Sequence, residues 1–302
     1  MEKHKIWAPI DKVEQEKYLY HYTSFENALK ILYHNTLKFS KLSASNDSFE
    51  RKPKVKLDCK DLKLHQIYSY IHDGLEKIRC NIRILCFSTD ADYDKIKSQY
   101  VEMNSLFSKD MIRENVLGRG FALPRMWAQY ADNNHGVCLV FDKKKIEDCI
   151  KKCQINFYGQ NVEYKAYYQP IIITENQLDQ IIKGINTNPL DFVKQISTSD
   201  FNYIVYNYFT KLDDWSSENE FRYITFSDSS IEGDVEISSI SSALCGIVIG
   251  ERMGDVEKYI LELLLADGFN ELQLKQIVFE DLTTRIKAIP CSSKKKGSAE
   301  YV

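Results

Sequence analysis

Apolar and polar residues follow a regular pattern in the first forty positions of the chain. Residues 18–23 alternate enough to predict a strand, and Ser24 then offers a hydroxyl that can cap a helix. Apolar residues recur at helical spacing after Ser24, and Asn35 tolerates the left-handed backbone that ends many helices. Residues 36–40 alternate again. The pattern therefore predicts a strand, a helix and a second strand in direct succession.

Short strand-like runs and longer helix-like segments are mixed along the rest of the chain. Strands are predicted at residues 82–88, 137–141, 161–168, 221–226, 243–249 and 274–279. Helices are predicted at residues 61–79, 94–116, 126–131, 188–212 and 253–265. No internal repeat and no Pro/Gly-rich linker divides the sequence. We therefore expect one mixed domain over residues 1–290 with helical insertions, and a disordered tail at 291–302.

Composition narrows the class of protein without identifying a ligand. A chain of 302 residues with 44% apolar content can bury a substantial core. The formal charge of −3 gives no global reason to expect an anionic partner. The eight cysteines are scattered, as is typical of thiols in a reducing compartment, and no apolar run reaches the length of a membrane span. A cytoplasmic protein without membrane contact is expected.

Several common signatures of catalysis are absent from the sequence. There is no Gly-x-Gly-x-x-Gly after a strand and no Walker loop, which argues against Rossmann and P-loop chemistry. There is no His-Glu-x-x-His, and the pair Cys149 and Cys153 has no matching second pair, so no metal site is expected.

A histidine interrupts the aromatic strand-like run near the start. His21 could be an interior histidine bonded to a backbone carbonyl, or it could face a cleft and bind a ribose hydroxyl. The capped helix that follows at once supports the second interpretation, because its first amides favour a diphosphate.

Two glutamates and an arginine alternate within residues 215–222. On an extended segment Glu218, Glu220 and Arg222 share one face, either as an exposed ion-pair ladder or as a reactive site. In the reactive case, Glu220 stabilises the positive charge that builds on a ribose when a nicotinamide glycosidic bond breaks. Glu218 would orient or deprotonate the acceptor, and Arg222 would keep a carboxylate ionised.

Aromatic and small polar residues supply further candidates. Trp127 and Tyr130 share a helical face, where core packing explains them as well as stacking on a ligand does. Ser40 ends the second predicted strand, where either loop capping or a pocket is typical. Asp47, Glu50 and Lys52 faintly resemble the metal-binding arrangement of a nuclease.

Four motifs in this order resemble an uncharacterised bacterial family of unknown function. The family's usual forms are Tyr-(Lys/His)-Tyr, Phe-Asn-Asp-Pro-Phe-(Asp/Glu), Trp-x-x-Tyr-Ala-x-x-His-x-Gly and Trp-x-x-Glu-x-Glu-x-Arg. Their counterparts here are residues 20–23, 45–50, 126–136 and 215–222, and the resemblance runs from about residue 18 to residue 250. Ser48 stands where the family usually has Pro, which changes the rigidity of the loop more than its chemistry.

That family is distantly similar to ADP-ribosyltransferases, which carry a His or Arg, a Ser or Tyr, and a Glu on successive strands. By this resemblance His21 is the ribose-binding residue, Glu220 is the catalytic residue and Glu218 is a second catalytic residue. Both Ser40 and Tyr130 are candidates for the middle motif. The resemblance implies NAD as the substrate, with contacts from His21, Tyr22, Thr23, Ser40, Trp127, Tyr130 and Arg222.

The fold implied by the resemblance is α+β, with split antiparallel sheets and surrounding helices. The implied function is transfer of ADP-ribose to a protein or nucleic acid, or hydrolysis of NAD, in a bacterial toxin or antiphage effector with a partner protein or antitoxin. Two alternatives remain open at this point. They are a metal-dependent nuclease and a non-catalytic domain that senses a nucleotide.

Overall fold

The computed structural model describes residues 7, 16–51, 55–57, 76, 79–106, 116–168, 171–173, 208–226, 233–268, 274–280 and 283–288. The chain divides into two compact units, each made of segments that are separated in sequence. The first unit comprises residues 1–36, 87–149 and 238–302, and the second comprises residues 37–86 and 150–237. The predicted single domain stays a prediction, and the predicted tail lies outside the described residues.

The first unit is a mostly antiparallel sheet with helices. Its strands are β1 (Tyr18–Thr23), β5 (Val137–Asp142), β12 (Leu244–Ile249), β13 (Leu274–Glu280) and β14 (Thr283–Ala288), in that spatial order. Only β12 and β13 run parallel to each other in this series. Its helices are α1 (Phe25–His34), α2 (Tyr93–Leu106), α3 (Pro124–Tyr130), α4 (Lys143–Lys152, whose last three residues belong to the second unit) and α5 (Asp255–Gly268).

The second unit contains strands of three to seven residues. They are β2 (Thr36–Lys41), β3 (Val55–Leu57), β4 (Ile82–Ser88), β6 (Phe157–Asn161), β7 (Glu163–Lys165), β8 (Ile171–Ile173), β9 (Thr210–Leu212), β10 (Glu220–Phe226) and β11 (Val235–Ser238). Five of them pair in the order β11, β2, β4, β10 and β6, while β3 pairs with β8 and β7 pairs with β9. The α+β class predicted from the sequence is confirmed.

Helix α1 shows how the sequence sets the ends of an element. The hydroxyl of Ser24 accepts the backbone N–H of Asn27, and Asn35 closes the helix in the left-handed conformation with φ 55°. Ala28 and Leu32 bury the inner face. The predicted cap, helix and terminating Asn are all observed.

Two predicted segments differ from the structure or fall outside it. The helix predicted at residues 188–212 lies mainly outside the described residues, but its end is wrong, because Thr210–Leu212 forms β9 and pairs in parallel with β7. The helix predicted at residues 61–79 also lies almost entirely outside them. Within the described part of the chain no helix is both long enough and apolar enough to cross a membrane.

A buried ionic cluster as the candidate active site

The Trp-x-x-Glu-x-Glu-x-Arg motif forms a short turn and the start of a strand in the second unit. Residues 213–218 form a 3-10 helix that Asn219 ends in the left-handed conformation, with φ 45°. Strand β10 begins at Glu220. The motif is therefore not one extended segment as predicted, and the turn at Asn219 separates the backbones of the two glutamates.

Glu220 and Arg222 share one face of β10, as their spacing predicts. The Nε of Arg222 donates to Glu220 Oε1 at 2.7 Å, and its Nη2 donates to Oε2 at 3.1 Å. Both side chains are buried, with 5% and 1% of their surface exposed. This bidentate contact fixes the plane of the Glu220 carboxylate and compensates its charge.

Lys211 on β9 joins the two glutamates of the motif. Its Nζ lies 2.7 Å from Glu218 Oε2 and 2.8 Å from Glu220 Oε2. All three side chains are buried. The ring of Trp215 covers the ammonium group, with its centroid 5.2 Å from Nζ.

Glu50 supplies a third carboxylate from a loop early in the chain. Its Oε1 lies 2.7 Å from Arg222 Nη1, and its Oε2 accepts a hydrogen bond from the Ser45 hydroxyl. The same Arg222 nitrogen donates to the backbone carbonyl of Tyr208 at 2.8 Å. Arg222 therefore connects β10 to two separate parts of the second unit.

The cluster of Glu50, Lys211, Glu218, Glu220 and Arg222 holds more negative than positive charge. With each group in its usual state at pH 7, three carboxylates face two cations. Burial alone would raise the pKa of Glu220, but Arg222 and Lys211 outweigh it and lower the pKa to about 2. Burial alone would lower the pKa of Lys211 and Arg222, and the carboxylates, Glu220 first, raise it well above the usual value. Glu220, Lys211 and Arg222 therefore stay ionised while they are buried.

Partly exposed side chains border this cluster. The hydroxyl of Tyr164 accepts the backbone N–H of Glu220 at 2.9 Å, and the hydroxyl of Tyr168 donates to Asp47 Oδ2 at 3.3 Å. Cys86 on β4 is half-buried, and its thiol lies close enough to the Glu220 carboxylate to lower the pKa of that carboxylate. Burial, and then the charge of Glu220, raise the pKa of the Cys86 thiol well above its usual value, which disfavours the thiolate form.

The candidate residues of β1 lie in the first unit. His21 is half-exposed, with its ring 5.7 Å from the ring of Phe87. Tyr22 is buried and its hydroxyl donates to the carbonyl of Gly120 at 2.7 Å, while Thr23 is buried next to it on the strand. Their role as NAD contacts stays a prediction.

The remaining candidates divide between the two units. Trp127 belongs to the core of the first unit, where its indole N–H donates to the carbonyl of Phe121 at 2.7 Å and its ring meets Tyr22 edge to face. Tyr130 is half-buried against the same core. Ser40 is an exposed residue of β2 in the second unit, opposite Ile84. Core packing accounts for the burial of Trp127.

Sequence reasoning missed Lys211 and did not connect Glu50 with Arg222. Lys211 lies in a strand of only three residues, Thr210–Leu212, and it follows residues with helical spacing, so the sequence did not mark it as part of a strand. Glu50 is the last residue of the second family motif and a member of the possible metal site with Asp47, but neither interpretation predicts its contact with Arg222. In the structure Asp47 Oδ1 accepts the backbone N–H of Phe49, and Lys52 lies outside the described residues. Among the residues that are described, no group of three or more His, Cys, Asp or Glu side chains is arranged to hold a metal.

The solved structures that match this chain share few identical residues with it. The chain is similar to Thermus sp. 2.9 DarT in complex with NAD+, at 11% identity and a TM-score of 0.31, over 85% of this chain and 94% of that chain. The same protein in complex with ADP-ribosylated ssDNA has 11% identity and a TM-score of 0.30, over 83% and 90% of the two chains.

Comparison of the sequence with protein families bears directly on the predicted resemblance. A search of curated proteins finds no match. The model of a protein family of unknown function (DUF2971) matches residues 126–223. This segment contains the Trp-x-x-Tyr-Ala motif, the Trp-x-x-Glu-x-Glu-x-Arg motif and Lys211. The predicted resemblance to a family of unknown function is thereby confirmed.

Proposed function

We propose that this chain is an NAD-using enzyme that transfers ADP-ribose to a macromolecule or hydrolyses NAD. The observation that carries the proposal is the buried ionic cluster with its excess of negative charge. The resemblance of the motifs to ADP-ribosyltransferases supports the same reaction, because both glutamates of the fourth motif belong to this cluster.

The proposed reaction begins with cleavage of the bond between the ribose C1′ and the nicotinamide nitrogen. The bonding electrons leave with nicotinamide, which becomes neutral, and the positive charge moves to the ribose. A preformed negative charge in a water-poor site stabilises that cation without having to reorganise. A hydroxyl, amine or amide of the acceptor, or water, then bonds to C1′ and releases a proton.

Glu220 is the proposed catalytic carboxylate. Arg222 and Lys211 fix its orientation and keep it ionised, and the excess charge of the cluster leaves it able to favour a cation nearby. Glu218 is proposed to orient the acceptor or to take its proton. The partly exposed rings of Tyr164, Tyr168 and Trp215 offer aromatic surface to a planar ligand beside the cluster.

NAD enters this proposal as a substrate rather than as a recycled cofactor. His21, Tyr22 and Thr23 stay proposed contacts for its ribose and phosphate groups, in line with the motif resemblance. The finer interpretation, a bacterial toxin or antiphage effector held by a partner protein or antitoxin, follows from that resemblance and is part of the proposal.

The test replaces the catalytic carboxylate by its neutral isostere. In Glu220→Gln, Lys211 retains Glu218 and Arg222 retains Glu50, so each buried cation keeps a carboxylate partner and the protein should fold. Turnover of labelled NAD, measured with protein, DNA and RNA acceptors, should fall by on the order of a hundredfold. Glu236→Gln is the matched control, since Glu236 forms an exposed pair with Lys38.

Two results would contradict the proposal. One is wild-type protein that consumes no NAD with any of these acceptors and without an acceptor. The other is a folded Glu220→Gln variant that turns NAD over as fast as the Glu236→Gln control.

A further inference from the structure

Lys211 has an unusual position for a lysine, because its ammonium group is buried between two carboxylates. Only 6% of the side chain is exposed, and Nζ contacts Glu218 Oε2 at 2.7 Å and Glu220 Oε2 at 2.8 Å. Burying an ammonium ion is costly unless partners of opposite charge surround it. The two contacts meet this requirement.

The two basic residues divide the carboxylates between them. Arg222 contacts Glu220 and Glu50, whereas Lys211 contacts Glu220 and Glu218. Because both Oε2 atoms contact one nitrogen, the carboxylates of Glu218 and Glu220 lie side by side. Two adjacent carboxylates repel each other, and without a cation between them one would take up a proton.

We propose that Lys211 is a positioning residue of the candidate site, whose ammonium group clamps the carboxylates of Glu218 and Glu220 side by side. This inference rests on the proposed function, in which both carboxylates must be charged and fixed. Trp215 covers the ammonium group from one side, which limits where Nζ can move. Lys211 does not touch the reacting atoms in this scheme, and it acts through the two glutamates.

The titration of Glu220 reports on this clamp. Among the described residues, the groups that face Glu220 are Arg222 on its own strand, Lys211 on β9, Glu218 on the preceding turn, Cys86 on β4 and Tyr164 on β7, with Glu50 beyond Arg222. Two of them are cations, and they hold the pKa of Glu220 low against its burial. Removing one cation leaves Glu218 beside Glu220, so the pKa of Glu220 should rise.

The experiment compares wild type with Lys211→Met, which keeps an apolar stem of similar length without the charge. Carbon-13 NMR of the Glu220 carboxyl should show a titration midpoint raised by about one pH unit or more. The acid limb of the pH profile for NAD turnover should move upward with it. Lys38→Met removes an exposed lysine from its pair with Glu236 and should leave both readouts at the wild-type values.

The conservative variant Lys211→Arg separates charge from geometry and covers the case in which Lys211→Met does not fold. It should keep the Glu220 midpoint and the acid limb close to wild type, because the positive charge remains. Its kcat should fall by roughly tenfold with little change in KM, because the larger, planar guanidinium places its donors away from the position of Nζ and shifts the two carboxylates relative to each other.

The outcomes distinguish the clamp from the proposed function. The proposed role of Lys211 is wrong if a folded Lys211→Met variant has the same Glu220 titration midpoint as wild type. It is also wrong if the wild-type Glu220 titrates near the ordinary value for a glutamate. If the wild-type protein shows a low titration midpoint for Glu220 but turns over no NAD with any acceptor, the role of Lys211 in positioning the two glutamates stands. The proposed function is then wrong.

Discussion

At the scale of single residues, the cluster around Glu220 shows how three carboxylates are accommodated in the interior of the second unit. Each carboxylate contacts a cation, and each cation contacts two carboxylates. Breaking one contact leaves a buried charge with less compensation, which is far more costly than losing an exposed pair. The cluster therefore links the stability of the second unit to its proposed chemistry.

Stability should fall in acid because of Glu220. Its pKa is lowered from the usual 4.5 to about 2 in the folded state, so its contribution is present above pH 4.5 and is lost as the pH falls toward 2. The contribution is on the order of 3 kcal/mol. Urea denaturation across this range should show a shallower decline for Glu220→Gln than for wild type, and parallel curves would contradict the assignment.

The sequence revealed part of this cluster because three of its members lie in one short motif. Glu218, Glu220 and Arg222 alternate, and alternation predicts proximity in any extended or nearly extended segment. Lys211 and Glu50 reach the motif through the pairing of β9 with β7 and through a loop far away in sequence. Contacts of that kind depend on tertiary structure, and the local pattern around either residue carries no sign of them.

At the scale of elements, the strongest predictions were those in which pattern and capping agreed. Strand β1 and helix α1 combine alternation, an N-terminal Ser24 and a terminating Asn35, and all three signals are local. The prediction missed strand β9 because three residues are too few to show a strand period. Its partner strand β7 is also distant in sequence. The turn at Asn219 was also missed, although Asn is among the residues that most readily adopt positive φ.

Asn35 should stabilise the end of α1 through both its backbone and its side chain. It adopts φ 55°, and its Oδ1 accepts the backbone N–H of Ser241 at 2.7 Å. Asn35→Ala loses the side-chain hydrogen bond and puts a residue that disfavours positive φ at this position, so the free energy of unfolding should fall by roughly 2 kcal/mol. Asn35→Gly loses only the hydrogen bond, so the free energy of unfolding should fall by about 1 kcal/mol. Chemical denaturation measures both free energies. If the Gly variant is as unstable as the Ala variant, the left-handed backbone at residue 35 does not contribute as predicted.

At the scale of the whole molecule, the two units alternate along the chain. The sequence enters the second unit at residue 37, returns to the first at residue 87, enters the second again at residue 150 and returns at residue 238. Strand β4 itself contributes residues 82–86 to the second unit and its last two residues to the first. Neither unit is a contiguous segment, so neither can be expressed alone by simple truncation. No linker signal was available to predict this division from the sequence.

This interleaving predicts that the chain unfolds as one cooperative system, and the same measurement tests the expectation of a single domain. If a strand shared by both units melts, each unit loses part of its sheet, so calorimetry should show one transition with equal calorimetric and van't Hoff enthalpies. Leu261→Ala in the first unit and Ile224→Ala in the second each empty a fully buried site, which costs about 2 to 5 kcal/mol. Both variants should lower the Tm of the same transition. Two resolved transitions, each moved by only one of the variants, would show instead that the units are independent domains.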